Sequence, residues 1–274
     1  MSHSYHIEKN LVYGMVSGTA LLGDLYRPSN PNGIGLLHIS GSGWHAPTTY
    51  NAIPLKESPH VTIYVHPLAE QGFTIFTINH RAAPTFRYPA ALHDAQRAVR
   101  FFRHHAKNYG IDPNRIGALG GSSGGHLVSM LGTMDGTGNA DAEDPIEREH
   151  AGVQCLVTRA APVALTPLYG RGRIVSFLGR AADPAPEVDP LYREASPITY
   201  VSAQTPPVLL IHGTNDDVVP FEQSTMMQAA LDAHGVPNRL IAVEGAGHGP
   251  TMPGAINPPD LIEEIAAWFG KYLG

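Results

Sequence analysis

The chain has almost no cysteine. Cys155, the single one in 274 residues, sits in the apolar run "VQCLV", so an intrachain disulfide is excluded and the thiol reads as buried and inert. Charge is scarce too. Only 15% of the residues are charged and the formal net charge is −6, which excludes a nucleic-acid partner, because phosphate binding needs clustered Lys and Arg. The one basic concentration, Arg171, Arg173 and Arg180, reads as a solvated loop. No apolar run approaches the roughly 18 residues of a membrane span, and "MSHSYHIEKN" lacks the charged-then-apolar pattern of an export signal. These absences predict a cytoplasmic protein with neither a membrane nor a nucleic acid as partner, and a monomer or homodimer is expected. Histidine is plentiful at 15 residues, yet no H-x-x-x-H or H-E-x-x-H pair stands on one helical face, so no metal is expected.

Short apolar runs alternate with helical patterns. "NLVYG" and "TALLGDLY" read as strands joined through Ser17-Gly18, and "GIGLLHIS" (33–40) as a strand buried on both faces. "FTIFTIN" (73–79) is the next. Pro89 then opens a helix whose apolar stripe is Leu92, Ala95, Val99, Phe102 and Ala106, ending at Gly110. "RIGALG" (115–120), "VQCLVTRA", "PPVLLIHG" (206–213) and "NRLIAVEG" are further strands. The segments after Ser122, "STMMQAALDAHG" and "PDLIEEIAAWFGKYL" are helices. Such alternation predicts an α/β fold with a mainly parallel sheet and helices on both faces. With no repeat or linker, 1–274 reads as a single domain. The stretches 45–68 and 133–150 read as surface loops, and 164–200 as a small cap over the carboxyl edge of the sheet, where open α/β sheets bind ligands.

The stretch "LGGSSGGH" (119–126) carries two overlapping G-x-S-x-G frames, one around Ser122 and one around Ser123. It falls where an apolar strand ends and a helix begins, the setting of a nucleophile elbow. "IHGTNDDVVP" then sets Asp216 and Asp217 beyond a later strand, and "VEGAGHGP" sets His248 beyond the next. The chemistry needs this trio. A serine hydroxyl is a weak nucleophile until an imidazole takes its proton, and a carboxylate must hold that imidazole and stabilise its charged form. The residues alone leave Ser122 against Ser123, and Asp216 against Asp217, open.

"DPNRIGALGGSSGGHL" resembles the "DP-x-RI…G-x-S-x-GGHL" block of α/β-hydrolase esterases, related to the hormone-sensitive-lipase-like and bacterial feruloyl/acetyl esterase (BD-FAE-type) families. "NHRAAPTFRYPAALHDAQRAVRFFR", "HGTNDDVVP" and "GAGHG" resemble their other blocks, so the likeness runs over about residues 10–272. It implies an α/β-hydrolase fold of about eight strands with a small cap insertion. It also implies a serine ester hydrolase that needs no cofactor and takes a small-molecule ester. The substrates implied are acetyl or short acyl esters of sugars and small alcohols, or feruloyl-type esters. Aligned on Asp112-Pro113 and Arg115-Ile116, the family's nucleophile falls on Ser122, its acid on Asp216 and its base on His248. The oxyanion donors fall on the N–H groups of Ser42, Gly43 and Ser123. The family's His-Gly-Gly-Gly-Trp loop is here Ser40-Gly41-Ser42-Gly43-Trp44, and a side chain at 42 makes a positive φ there costly. Trp44, and Tyr169 and Phe177 in the cap, are candidate substrate contacts.

Two other functions use the same pieces. An aryl formamidase would keep the triad but usually carries His-Gly-Gly-Tyr-Trp in that loop. A non-catalytic binding protein would be expected to have lost part of the triad, usually its histidine. His38, His80, Arg81 and His126 read as structural, and Asp94 as a favourable charge near a helix start.

Overall fold

The central runs are short enough to cross a sheet once and are buried on both faces, whereas the two edge runs are partly exposed. The computed structural model describes residues 4–179 and 190–274. Among the described residues, eight strands form one sheet: β1 (Tyr5–Val16), β2 (Thr19–Pro28), β3 (Gly35–Ile39), β4 (Thr74–Ile78), β5 (Ile116–Gly121), β6 (Cys155–Arg159), β7 (Val208–Gly213) and β8 (Asn238–Val243). Their order is β1-β2-β4-β3-β5-β6-β7-β8. The β1–β2 and β2–β4 pairs are antiparallel and every other pair is parallel.

The described helices are α1 (His66–Glu70), α2 (Ala90–His104), α3 (Ala106–Tyr109), α4 (Ser123–Thr133), α5 (Gly172–Leu178), α6 (Pro190–Glu194), α7 (Glu222–Ala233) and α8 (Leu261–Leu273). Consecutive residues of a strand supply opposite cores, as the two-residue period requires. Leu37 and Phe76 pack with Val99, Phe102, Leu127 and Met227 on one side. Leu36 and Ile75 pack with Val65, Leu68 and Phe269 on the other. No described helix is long and apolar enough to cross a membrane. Cys155 is buried and unpaired, and burial pushes its thiol up to about 12.

Two expectations are revised. The single helix expected from Pro89 to Gly110 is interrupted at His105 (φ −94, ψ 9) before α3 ends on left-handed Gly110 (φ 71). The stretch 45–68 is not all surface loop. Leu55, Val61, Tyr64, Val65 and Leu68 are buried, because a π-helical turn at Val61–Val65 runs directly into α1. Its apolar spacing is legible only in hindsight, since Pro54, Pro59 and Pro67 break the window into pieces too short to show a period.

The strand order reverses between β3 and β5. That switch point brings the loops after β3 and β5 side by side at the carboxyl edge of the sheet, the place where this class of sheet forms a ligand crevice.

Candidate active site

The turn from β5 into α4 is one residue long. Ser122 occupies it with φ 53 and ψ −126, a region that costs a side chain energy and that persists only where surrounding contacts impose it. One such contact is the Ser122 N–H, which donates to the Arg159 carbonyl at 2.7 Å. The frame around Ser122 has a steric reason. A Cβ on Gly120 would stand 2.6 Å from the Gly124 main chain, and one on Gly124 would stand 2.1 Å from the Ile39 carbonyl oxygen. Backbone crosses backbone there, and only glycine fits.

His248 lies in the loop after β8. Its Nε2 is 3.1 Å from Ser122 Oγ and its Nδ1 is 2.7 Å from Asp216 Oδ2. Asp216 faces the imidazole with a side chain 1% exposed, whereas Asp217 is exposed. The other Asp216 oxygen accepts the N–H groups of Val218 (2.9 Å) and Val219 (2.8 Å). Burial alone would raise this carboxyl. Hydrogen bonds from His212, His248 and the Val219 N–H outweigh that and hold it well below the usual carboxylate range. The arrangement can pass the Ser122 proton to His248 while a permanent anion orients the ring.

The Ser40–Trp44 loop comes from the end of β3. Its positive φ values fall on Gly43 (65) and Trp44 (59), so the serine at 42 is spared that strain. The Ser42 N–H is nevertheless engaged, donating to Ser123 Oγ at 2.9 Å. This corrects the expectation that it faces the substrate oxygen, because the hydroxyl at 123 takes the place an oxyanion would need. The N–H groups of Gly43 and Ser123 have no protein acceptor among the described residues and border the same cleft.

That cleft is about 260 Å³ and opens onto Ser122. Trp44, Pro162, Leu168, Ile174, Val218 and Val219 form its apolar wall, with Arg171, Arg173 and Asp217 as the charged residues among its lining. Leu168 and Ile174 come from the expected cap stretch, whose residues 180–189 lie outside the described residues. Two candidate contacts fall elsewhere. Phe177 is 1% exposed and stacks on Trp44 at 4.5 Å, behind the cleft. Tyr169 packs on Tyr192 at 5.3 Å, outside the lining. Phe177 belongs to the core, and Tyr169 packs half-buried against it. Trp44 does line the cleft, and its Nε1–H donates to His126 Nδ1 at 3.1 Å.

Sequence reasoning passed over three residues around the site. His212 ends β7 beside Asp216 at 3.4 Å, while its own Nε2 donates to the Val219 carbonyl at 2.9 Å. Arg159 ends β6 behind Ser122, 4% exposed, and Tyr64 packs beside it. An arginine inside "VQCLVTRA" was the available signal, since a charge in a central strand has to be paired or used. Asp94, read as a simple helix-start charge, instead accepts four bonds from three donors of Arg81, its main-chain N–H, Nε and Nη2, two of them at 2.7 Å.

Comparison with known proteins follows the same lines. The family model for BD-FAE matches residues 24–231. Esterase LipC of Mycobacterium tuberculosis is 34% identical over 199 residues, covering 66% of this chain and 46% of that protein. The chain thus spans about half the length of the curated relatives it matches first. An acetyl ester-xyloside bifunctional hydrolase from Caldicellulosiruptor lactoaceticus superimposes with a TM-score of 0.78 at 30% identity, over 92% of this chain and 87% of that one. A truncated carbohydrate esterase from gut microbiota does so with a TM-score of 0.80 at 26% identity, over 100% and 98%.

Proposed function

The chain belongs to the BD-FAE family, and from that premise we propose that it is a serine carboxylic-ester hydrolase acting through an acyl-enzyme on acetyl or other short acyl esters of sugars or small alcohols. His248 Nε2 takes the Ser122 proton as Oγ attacks the ester carbonyl carbon. The carbonyl oxygen becomes an oxyanion held by the N–H groups of Gly43 and Ser123. The imidazolium, stabilised by Asp216, protonates the departing alcohol. The neutral imidazole left behind then takes a proton from a water that attacks the acyl-Ser122 carbonyl and returns it to Ser122 Oγ as the acyl–oxygen bond breaks, releasing the carboxylic acid.

One observation carries this reading: His248 bridges Asp216 at 2.7 Å and Ser122 at 3.1 Å. The size of the cleft supports short acyl groups, since about 260 Å³ lies below the roughly 300–1,000 Å³ of drug-sized sites. The carbohydrate and acetyl esterases among the similar structures support a sugar ester.

Hydrolysis of p-nitrophenyl acetate, butyrate and octanoate and of a feruloyl ester by the wild type, Ser122→Ala and Ser123→Ala tests it. Rapid turnover of acetate and butyrate, weak turnover of octanoate and loss of all turnover in Ser122→Ala alone are expected. Loss in Ser123→Ala alone moves the nucleophile by one residue, and a wild type inert on every ester ends the esterase reading.

A further inference from the structure

His248 sits in a loop that the Gly247 N–H closes on the Pro253 carbonyl at 2.8 Å and the Met252 N–H on the Gly249 carbonyl at 3.2 Å. Gly247 and Gly249 flank it, and Gly249 has φ 137, a conformation only glycine adopts readily. Neither glycine contributes a side chain that packs the loop down. Yet the imidazole must stay within hydrogen-bond reach of two partners from different strand ends.

The two carbonyls that follow His248 are held from below. Arg159 Nη1 donates to the Gly249 carbonyl, and Tyr64 Oη donates to the Pro250 carbonyl at 2.8 Å. The guanidinium lies 5.3 Å from the centre of the Tyr64 ring, within cation–π range. Its Nη2 faces His60 Nδ1 at 3.3 Å. Among the described residues, no carboxylate forms an ion pair with Arg159, although it is 4% exposed. A buried cation with no ion pair is costly, and the Asp216 carboxylate acts on it only from beyond ion-pair distance, so packing alone gives no reason for arginine here. Its other end touches the nucleophile. The Arg159 carbonyl accepts the Ser122 N–H at 2.7 Å, and the next residue, Ala160, carries a positive φ of 47. The second glycine of the elbow belongs to the same device. A Cβ on Gly121 would stand 2.6 Å from Arg159 Nη2, so Gly121 makes room for the guanidinium while Gly120 serves the turn.

We propose that Arg159 is a positioning residue for His248, its guanidinium, with Tyr64, fixing the loop that carries the base beside the strand end that carries Ser122. The inference rests on the esterase reading for its kinetic consequence but not for its structural one. Methionine fills much of the arginine's volume without its donors or charge, and such replacements of buried charges are often neutral or stabilising.

The experiment compares the wild type, Arg159→Met and Tyr64→Phe by kcat and KM on p-nitrophenyl acetate, by thermal midpoint, and by the far-downfield proton resonance of His248 Nδ1–H on Asp216. Arg159→Met is expected to lower kcat about 10²-fold, as an ångström-scale misplacement does. KM and the midpoint should stay close to wild type, and the downfield proton should be broadened or lost. Tyr64→Phe keeps the ring and loses one tether, so its kcat falls about tenfold, the effect of one hydrogen bond near its upper value. Wild-type kcat with an intact downfield proton in Arg159→Met overturns the proposal. Should Arg159→Met fail to fold, Tyr64→Phe decides alone: a lower kcat at unchanged KM upholds the tether, and wild-type kinetics overturn it. A wild type inert on esters removes the kinetic readout and sinks the esterase reading, while the downfield proton still reports whether Arg159 holds His248.

Discussion

Two loops converge on Ser122, and different chemistry holds each. The loop after β8 carries His248 between glycines, with its ring 19% exposed, and its main chain is tethered by a buried guanidinium and a tyrosine hydroxyl. The loop after β3 carries the Gly43 N–H and is tethered mostly through its side chains, with one main-chain bond from the Ala83 N–H to the Trp44 carbonyl at 2.8 Å. Trp44 stacks on Phe177 and donates to His126, and His45 Nε2 meets Ser176 Oγ at 3.0 Å. The difference follows from the task. A base has to reach its proton with a side chain, so its backbone is what must be anchored. An oxyanion site works with backbone N–H groups, so its side chains are free to be the anchors.

The sharpest contrast lies at the reacting atoms. Ser122→Ala is expected to lower kcat by about 10⁶, the cost of losing a triad nucleophile, measured by turnover of p-nitrophenyl acetate. Asp216→Asn should follow at about 10⁴, because the amide favours the wrong imidazole tautomer. Asp217→Asn, at an exposed position, should change activity by no more than about twofold. Equal losses at 216 and 217 would break the assignment of the anchor to the buried carboxylate.

On the other loop, Ser123→Ala removes the acceptor of the Ser42 N–H. A fall of about tenfold in kcat is expected, in line with one hydrogen bond near its upper value. A rise instead would mean that the freed N–H is the better oxyanion donor.

The smallest effect concerns stability rather than rate. His126 accepts from Trp44 and donates from Nε2 to the Ala195 carbonyl at 2.7 Å. Burial pushes its pKa down to about 4, against the pull of that carbonyl. The unfolded chain therefore takes up this proton first, near 6.5. Stability is full above about pH 6.5 and falls as the pH drops toward 4. Thermal midpoints of His126→Gln should vary less over that window than those of the wild type. Part of the slope remains, since burial pushes His38 and His60 to about 3. An unchanged slope would show that the Trp44 anchor does not require a neutral imidazole.

Much of this was legible residue by residue. The strand runs, the stripe of α2, and the Ser–Asp–His order rest on local spacing, and local spacing survives in one chain read alone. The resemblance placed the nucleophile on Ser122, and the structure adds the steric reason in Gly120 and Gly124. What stayed hidden were contacts between segments with no shared period. Tyr169 and Phe177 were read as facing a substrate because aromatic residues in a cap suggest it, but burying a ring against Tyr192 or Trp44 offers a larger apolar contact. Ser42 was read by its position in a motif, and the hydroxyl of Ser123 changed where its N–H points.

The sequence by itself determined which residue types stand at the strand ends, because a strand's length, its apolar faces and its closing glycines are properties of a few neighbouring residues. Only the tertiary structure decided which of those residues meet. Ser122 and His248 are 126 positions apart, Arg159 and Gly249 are 90, and Ser42 and Ser123 are 81. Such pairs form when the sheet stacks its strands in one order at one register, and that order is fixed by the packing of both cores together.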